Sequence, residues 1–179
     1  MILGTSLLDM FYQNASFQPM ENDLLLRKKF TFRVGGQKLV LVKKAVESQR
    51  HVVMKALLWA LYLPEYPELQ VEMAIDNKYK PDLVQTESGS PLFWGEAGSI
   101  GTEKLRRILK RFPRCHFACA VWAADITQLE TRVRRVTKNV KRCAPVDVLR
   151  FPESADREFI DDNGKISIRQ SDLDWRRIL

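Results

Sequence analysis

The residues best suited to chemistry lie in Lys80-Pro81-Asp82-Leu83-Val84 and in Pro91-Leu92-Phe93-Trp94-Gly95-Glu96-Ala97-Gly98. The two segments read as short strands joined by a polar turn, Glu87-Ser88-Gly89-Ser90, with one carboxylate at each far end. A hairpin centred on Gly89 sets Asp82 opposite Glu96. Directly opposed residues share a face, with Cβ atoms about 4.5–5.5 Å apart. Carboxylates that close repel each other unless a cation or a shared proton intervenes. A divalent metal meets that need, because Mg²⁺ typically takes one or two carboxylates and keeps several waters.

The elements that must position this pair follow from pattern. Lys29 to Lys44 reads as a hairpin: Phe30, Phe32 and Val34 alternate with polar residues, Gly35-Gly36 turns, and Leu39 to Val42 returns. Glu47 to Leu63 is expected to be a helix with Val53, Leu57, Ala60 and Leu61 on its apolar face, closed by Pro64. Val71 to Ile75 is expected to be the third strand, and the Asp82–Glu96 hairpin supplies the next two. Thr102 to Phe112 reads as a short basic helix capped by Thr102. Cys115 to Trp122 is apolar nearly throughout, which suits a strand buried on both faces. A helix from Ile126 to about Lys141 carries Leu129, Val133, Val136 and Val140, and Val146 to Phe151 is the following strand. From Pro152 the chain is polar, with an Asn163-Gly164 turn and a small strand at Ile166-Ser167-Ile168. Residues 1–27 give no clear element. The order is β-β-α-β-β-β-α-β-α-β.

The length of 179 residues suits one domain with a substantial core. No apolar run reaches the roughly 18 residues of a spanning helix, so no membrane partner is expected. The start, Met1 to Leu8, lacks the basic region and long apolar core of a signal peptide. Cys115, Cys119 and Cys143 are odd in number and read as reduced thiols of a cytoplasmic protein. The net charge of +7 is unevenly spread: twelve Lys or Arg residues lie between Lys104 and Arg142, against the acidic Asp125 and Glu130. Such a concentration is compatible with DNA or RNA phosphates, and equally with two helices whose outer faces are solvated.

Pro81-Asp82-Leu83, Phe93-Trp94-Gly95-Glu96-Ala97-Gly98 and the following Glu103-Lys104-Leu105-Arg106 together resemble the PD-(D/E)xK nuclease superfamily. More closely, they resemble the bacterial YaeQ family, a divergent branch of it. Glu47-Ser48-Gln49-Arg50 and Ala56 to Leu61 are similar to that family's first helix, so the likeness covers roughly residues 30 to 150. It implies one α/β domain of restriction endonuclease-like fold, a central mixed β-sheet flanked by helices. That domain would span 1–179, with a core of about 28–151 and peripheral extensions at 1–27 and 152–179.

The resemblance further implies a Mg²⁺- or Mn²⁺-dependent nuclease in which Asp82 and Glu96 are ligands and Glu47 is an accessory acid. The superfamily usually carries Lys two residues after the Glu. Here that position is Gly98, and Lys104 on the next helix is the substitute. Arg106, Arg107, Lys110, Arg132, Arg134, Arg135 and Lys138 would hold the nucleic-acid backbone. Each reading has a structural rival: Glu47 would be favoured by a helix dipole, and Lys104 could be a surface lysine. The missing Lys at position 98 supports an alternative, a catalytically inactive nucleic-acid- or protein-binding module that keeps the fold.

Other chemistry finds less support. Gly95, Gly98 and Gly101 match neither GxxxxGK[ST] nor GxGxxG, so no nucleotide cofactor is expected, and a small-molecule enzyme using this loop for phosphate ranks third. Cys115 and Cys119 share one strand face and His116 the other, without a second set of zinc ligands. His51 has no evident Ser or Cys partner. Trp59, Trp94 and Trp122 read as core, while Trp175 is either exposed or docks the tail.

Overall fold

The computed structural model describes residues 28–75 and 80–179; the unassigned stretch 1–27 lies outside them. The first hairpin pairs β1 (Lys29–Val34) with β2 (Gln37–Val42) through Gly35-Gly36. Both glycines take positive φ, 53° and 84°, as a two-residue hairpin loop of this hand requires. Helix α1 (Gln49–Tyr62) follows, then β3 (Gln70–Val71), β4 (Leu83–Glu87), β5 (Ser90–Ala97), α2 (Thr102–Arg111), β6 (His116–Trp122), α3 (Ile126–Thr137), β7 (Val146–Phe151), the short α4 (Ala155–Phe159), a 3₁₀ turn and β8 (Asp174–Arg177).

Six strands form one mixed sheet in the order β3-β4-β5-β6-β7-β8. The β5-β6-β7 centre is parallel and the outer pairs are antiparallel. Parallel neighbours need a crossover, and α2 and α3 supply the two crossovers. Both pack with Trp94, Phe117, Cys119, Val146 and Val148 on one face. On the other face α1 packs with Leu83, Phe93, Ala118, Ala120, Leu149 and Phe151, and the first hairpin adds Phe32 and Leu41. The expected α/β class is therefore observed. Cys119 and His116 do point to opposite faces, and Trp59 and Trp94 are core.

Several expectations change in detail. Sequence periodicity gave α1 one apolar face, yet every residue from Val52 to Tyr62 is buried. The helix lies between the sheet and the β1–β2 hairpin, so no side is left for solvent. The third strand is only Gln70–Val71, not Val71 to Ile75. Helix α3 stops at Thr137 instead of Lys141, although Val140 still packs against its core. Ile166 to Ile168 is not a strand; that region makes isolated bridges, Ile160 with Ile166 and Arg33 with Lys165. The strand of the tail is instead β8, which carries Trp175 half-buried onto the core.

A buried polar knot fixes β8 to β7. Asp147 is fully buried. Its carboxylate accepts from Arg177 Nε and Nη2 at 2.9 and 3.0 Å and from Tyr62 Oη at 3.0 Å, and lies 2.7 Å from His116 Nε2. Burial pushes the Asp147 carboxyl up, but His116 and Arg177 outweigh it and hold it below the usual carboxylate range. A depressed carboxyl stabilises the fold above its ordinary pKa, and that contribution is lost as pH falls through the folded-state value. At neutral pH, Asp147→Ala should therefore cost about 3–5 kcal/mol in urea unfolding, because it leaves Arg177 and the buried hydroxyl of Tyr62 without their acceptor. A loss below about 1 kcal/mol would contradict this account.

Candidate functional site

The hairpin between β4 and β5 is shorter-turned than the sequence suggests. Its loop is Ser88-Gly89 alone, at φ 48° and 79°. Next to the turn, Glu87 pairs with Ser90 and Thr86 with Pro91; a bulge between Gln85 and Thr86 then shifts the ladder to Leu83↔Gly95. The ladder ends at Leu83↔Gly95; extended by one residue, its shifted register would set Asp82, just before β4, opposite Glu96. Without the shift Asp82 would face Gly95, since a slip of one residue exchanges the faces of a strand.

Glu96 points toward the α2 side with Trp94, its neighbour two residues back. It accepts from Trp94 Nε1 at 2.8 Å through Oε1 and from Lys104 Nζ at 2.7 Å through Oε2. Lys104 stands in the first turn of α2, and its side chain remains 44% exposed while that of Glu96 is only 9% exposed. Burial raises the Glu96 carboxyl above its ordinary range; the Lys104 and Trp94 bonds oppose the shift, and the nearby Asp82 charge adds to it. The substitute cation expected from sequence thus touches the carboxylate.

Asp82 makes its contacts on the α1 side, so the partners of the two carboxylates do not show the expected sharing of one face. Its Oδ2 accepts from Ala97 N at 2.8 Å, and Oδ1 lies 3.3 Å from His51 Nε2. The same imidazole nitrogen lies 3.6 Å from Glu47 Oε1. Ser48 caps α1 by accepting from His51 N at 3.2 Å, which sets the ring at the helix start. The contact with Asp82 raises the His51 pKa against partial burial, with a smaller contribution from Glu47. Sequence reading found no Ser or Cys partner for His51; its partners are carboxylates, Glu47 four residues before it and Asp82 on a distant segment.

Glu47 itself lies outside α1: the cap is Ser48, and the first turn holds no acidic residue. The helix dipole is therefore not what retains it. Instead Lys55, only 1% exposed, places Nζ 2.5 Å from both Glu47 Oε1 and Glu72 Oε1. Glu72 also accepts from Lys44 at 2.6 Å and lies 3.6 Å from Lys80. Burial works against its ionised form, but Lys44 and Lys55 hold its pKa down to about 2. Neither Lys55 nor Glu72 was singled out from sequence; a lysine in the middle of an otherwise apolar helix was the available signal. Lys44, Glu47, Glu72 and Lys80 border a cavity of 540 Å³ that opens beside His51 and Asp82.

Gly98 explains why the expected lysine position is vacant. It adopts φ +101°, a conformation that side-chain-bearing residues rarely take, and its N–H donates to Ala120 O at 2.7 Å. A Cβ there would emerge 3.9 Å from His51 Nδ1. That is ordinary contact, so the backbone angle and not the space is what disfavours a side chain at 98.

The basic residues are sorted by their partners. Arg106 is paired with Glu103, and Arg107 Nε donates to Glu103 O at 3.3 Å. Arg134 pairs with Glu130 at 2.7 Å, while Arg132 Nη1 donates to Ile100 O at 3.0 Å. Lys110, Arg135 and Lys138 are exposed on α2, α3 and the end of α3. Among the described residues no group of three or more His, Cys, Asp or Glu side chains is arranged to hold a metal ion, and no helix is long and apolar enough to cross a membrane.

Comparison with known proteins bears on the fold. No family model matches the chain, and no curated protein matches it. Among solved structures it is similar to the YaeQ protein from Xanthomonas axonopodis pv. citri, with a TM-score of 0.54 and 15% identity over 74% of this chain and 77% of that one. It is likewise similar to the YaeQ protein from Pseudomonas syringae, with a TM-score of 0.53 and 18% identity over 72% and 73%. The class is thus a mixed α/β fold with a central six-stranded sheet, and the particular fold is the one YaeQ proteins share.

The burial of Glu96 has a measurable consequence. A carboxyl whose folded-state pKa is raised disfavours folding above that value, and the penalty vanishes at acid pH where it is protonated in both states. Glu96→Gln should therefore raise the melting temperature at neutral pH and have little effect near pH 3. A lowered melting temperature at neutral pH would show that the Lys104 contact outweighs desolvation.

Proposed function

We propose that the chain is a metal-dependent nuclease of PD-(D/E)xK type, hydrolysing DNA or RNA phosphodiesters with Mg²⁺ or Mn²⁺. The observation that carries this reading is the contact between Lys104 Nζ and Glu96 Oε2, with Asp82, just before the neighbouring strand, close by. The donor chemistry fits: both candidate ligands are carboxylates, and each carboxylate has about four acceptor sites, of which protein donors engage part. A bound Mg²⁺ would acidify a water and stabilise charge on the phosphate oxygens. Asp82 and Glu96 would hold the ion, and the Ala97 N–H and the Trp94 indole would keep the two carboxylates oriented. Lys104, partly exposed, would present its ammonium to the attacked phosphate from the position that Gly98 cannot fill. Glu47 enters as a counter-ion of Lys55 and a neighbour of His51 more than as a free ligand.

A second reading, a binding module that has lost chemistry, is favoured by one observation: both oxygens of Glu96 already accept hydrogen bonds from the protein. Cleavage assays on single- and double-stranded DNA and RNA with Mg²⁺ or Mn²⁺ separate the two. The nuclease reading expects Asp82→Ala and Glu96→Gln to abolish cleavage and Lys104→Met to slow it by about 10²-fold. Metal-dependent cleavage at wild-type level in Asp82→Ala and Glu96→Gln would overturn it. Binding without cleavage, indifferent to Asp82→Ala, would establish the second reading.

A further inference from the structure

Much of the positive charge between Lys104 and Arg142 is committed within the chain. Arg106 and Arg134 are paired with Glu103 and Glu130. Arg142 is half-buried and donates to the carbonyls of Leu109, Phe112 and Cys115. Lys110 and Lys138 lie exposed on the helix surfaces, whereas Arg132 and Arg135 come together. A cavity of 370 Å³ lies between the start of α2 and one face of α3, lined by Thr102, Thr127, Gln128, Thr131, Arg132 and Arg135.

Its composition is one-sided. Every lining side chain can donate a hydrogen bond, two carry fixed positive charge, and none is a carboxylate. The cavity beside Asp82 is bordered by Glu47, Glu72 and Asp82, and the one at the β1–β2 turn by Asp161. Helical spacing sets Thr127, Thr131 and Arg135 on one face of α3. Arg132 is fixed in direction by its bond to Ile100 O. A guanidinium has five N–H donors, so this bond leaves others for a ligand. The loop it braces joins Glu96 to α2, and Thr102 on the cavity wall is in the same helical turn as Lys104.

We propose that this α2–α3 cleft binds a backbone phosphate of a nucleic-acid strand, with Arg135 and Arg132 as the charged contacts and the Thr127 and Thr131 hydroxyls as neutral donors. This deepens the nucleic-acid reading above and rests on its partner, not on its chemistry. The chemistry of the pocket selects a phosphate diester oxyanion, for which paired guanidinium donors are suited.

Fluorescence anisotropy of the full chain with a labelled short oligonucleotide, single-stranded and duplex, tests this in EDTA at several salt concentrations. Chelation keeps cleavage out of the readout. Arg135→Glu should weaken binding by about 10-fold or more and lower the salt-dependence slope by about 1. Arg157→Glu, the same charge change on the exposed face of α4, should weaken it far less. Thr131→Val, which adds no charge, should weaken binding measurably without changing that slope. Circular dichroism checks that these surface variants remain folded. Equal effects of Arg135→Glu and Arg157→Glu, or no oligonucleotide binding by the wild-type chain, would overturn the proposal. A chain that binds through the cleft but never cleaves would leave it standing and overturn the nuclease reading alone. A chain that cleaves, with Arg135→Glu binding as well as wild type, would do the reverse.

Discussion

The ammonium of Lys55 is the interaction on which the site depends. It is buried in the middle of α1, where an isolated charge could not be tolerated, and is neutralised by Glu47 from one segment and Glu72 from another. Glu72 adopts φ 56°, a conformation uncommon for a residue with a side chain. Its own N–H then donates to Asp82 O at 2.8 Å. One buried cation thereby ties the helix, the end of β3 and the chain entering β4 together. Removing one partner from such a cluster is strongly destabilising, because the other charges stay where they are.

From that anchor the candidate site is assembled from two sheet faces. Asp82 is steadied by α1 through His51, and Glu96 by α2 through Lys104. Both carboxylates lie near the end of the parallel strand β5, where the first crossover begins: Glu96 within the strand, and Asp82 through its bond from Ala97 N. Gly98 makes that exit with a backbone angle that side-chain-bearing residues rarely adopt, and Lys104 reaches Glu96 from the first turn of α2. The burial of Glu96 is the cost of this arrangement: the fold holds a carboxylate where water would solvate it better, as sites of chemistry commonly do.

Local patterns made much of this legible in the sequence. Gly35-Gly36 and Ser88-Gly89 declare their turns because both loops need positive φ, and alternation and apolar runs mark β1, β2, β5 and β6. Centring the hairpin on Gly89 matches the observed register from Gln85↔Phe93 to Leu83↔Gly95, which a bulge at Gln85/Thr86 beside Pro91 sets. What stayed hidden depends on long-range partners. His51 is an ordinary helix-start residue until Asp82 is folded beside it. Lys55 and Glu72 acquire meaning only as a pair. The edge strand β8 looked like part of a polar tail because Asp174-Trp175-Arg176-Arg177 lacks apolar alternation; its pairing rests on Arg177 reaching buried Asp147. The fold is shared with YaeQ structures at only 15% and 18% identity, so topology is what the comparison carries.

Whether Asp82 and Glu96 form a metal site is the question that decides the rest, and calorimetric titration with Mn²⁺ answers it without requiring a substrate. The account predicts saturable binding by the wild-type chain that disappears in the Asp82→Asn/Glu96→Gln double variant while that variant stays folded. Binding of equal strength in the double variant, or none by the folded wild-type chain, would contradict it.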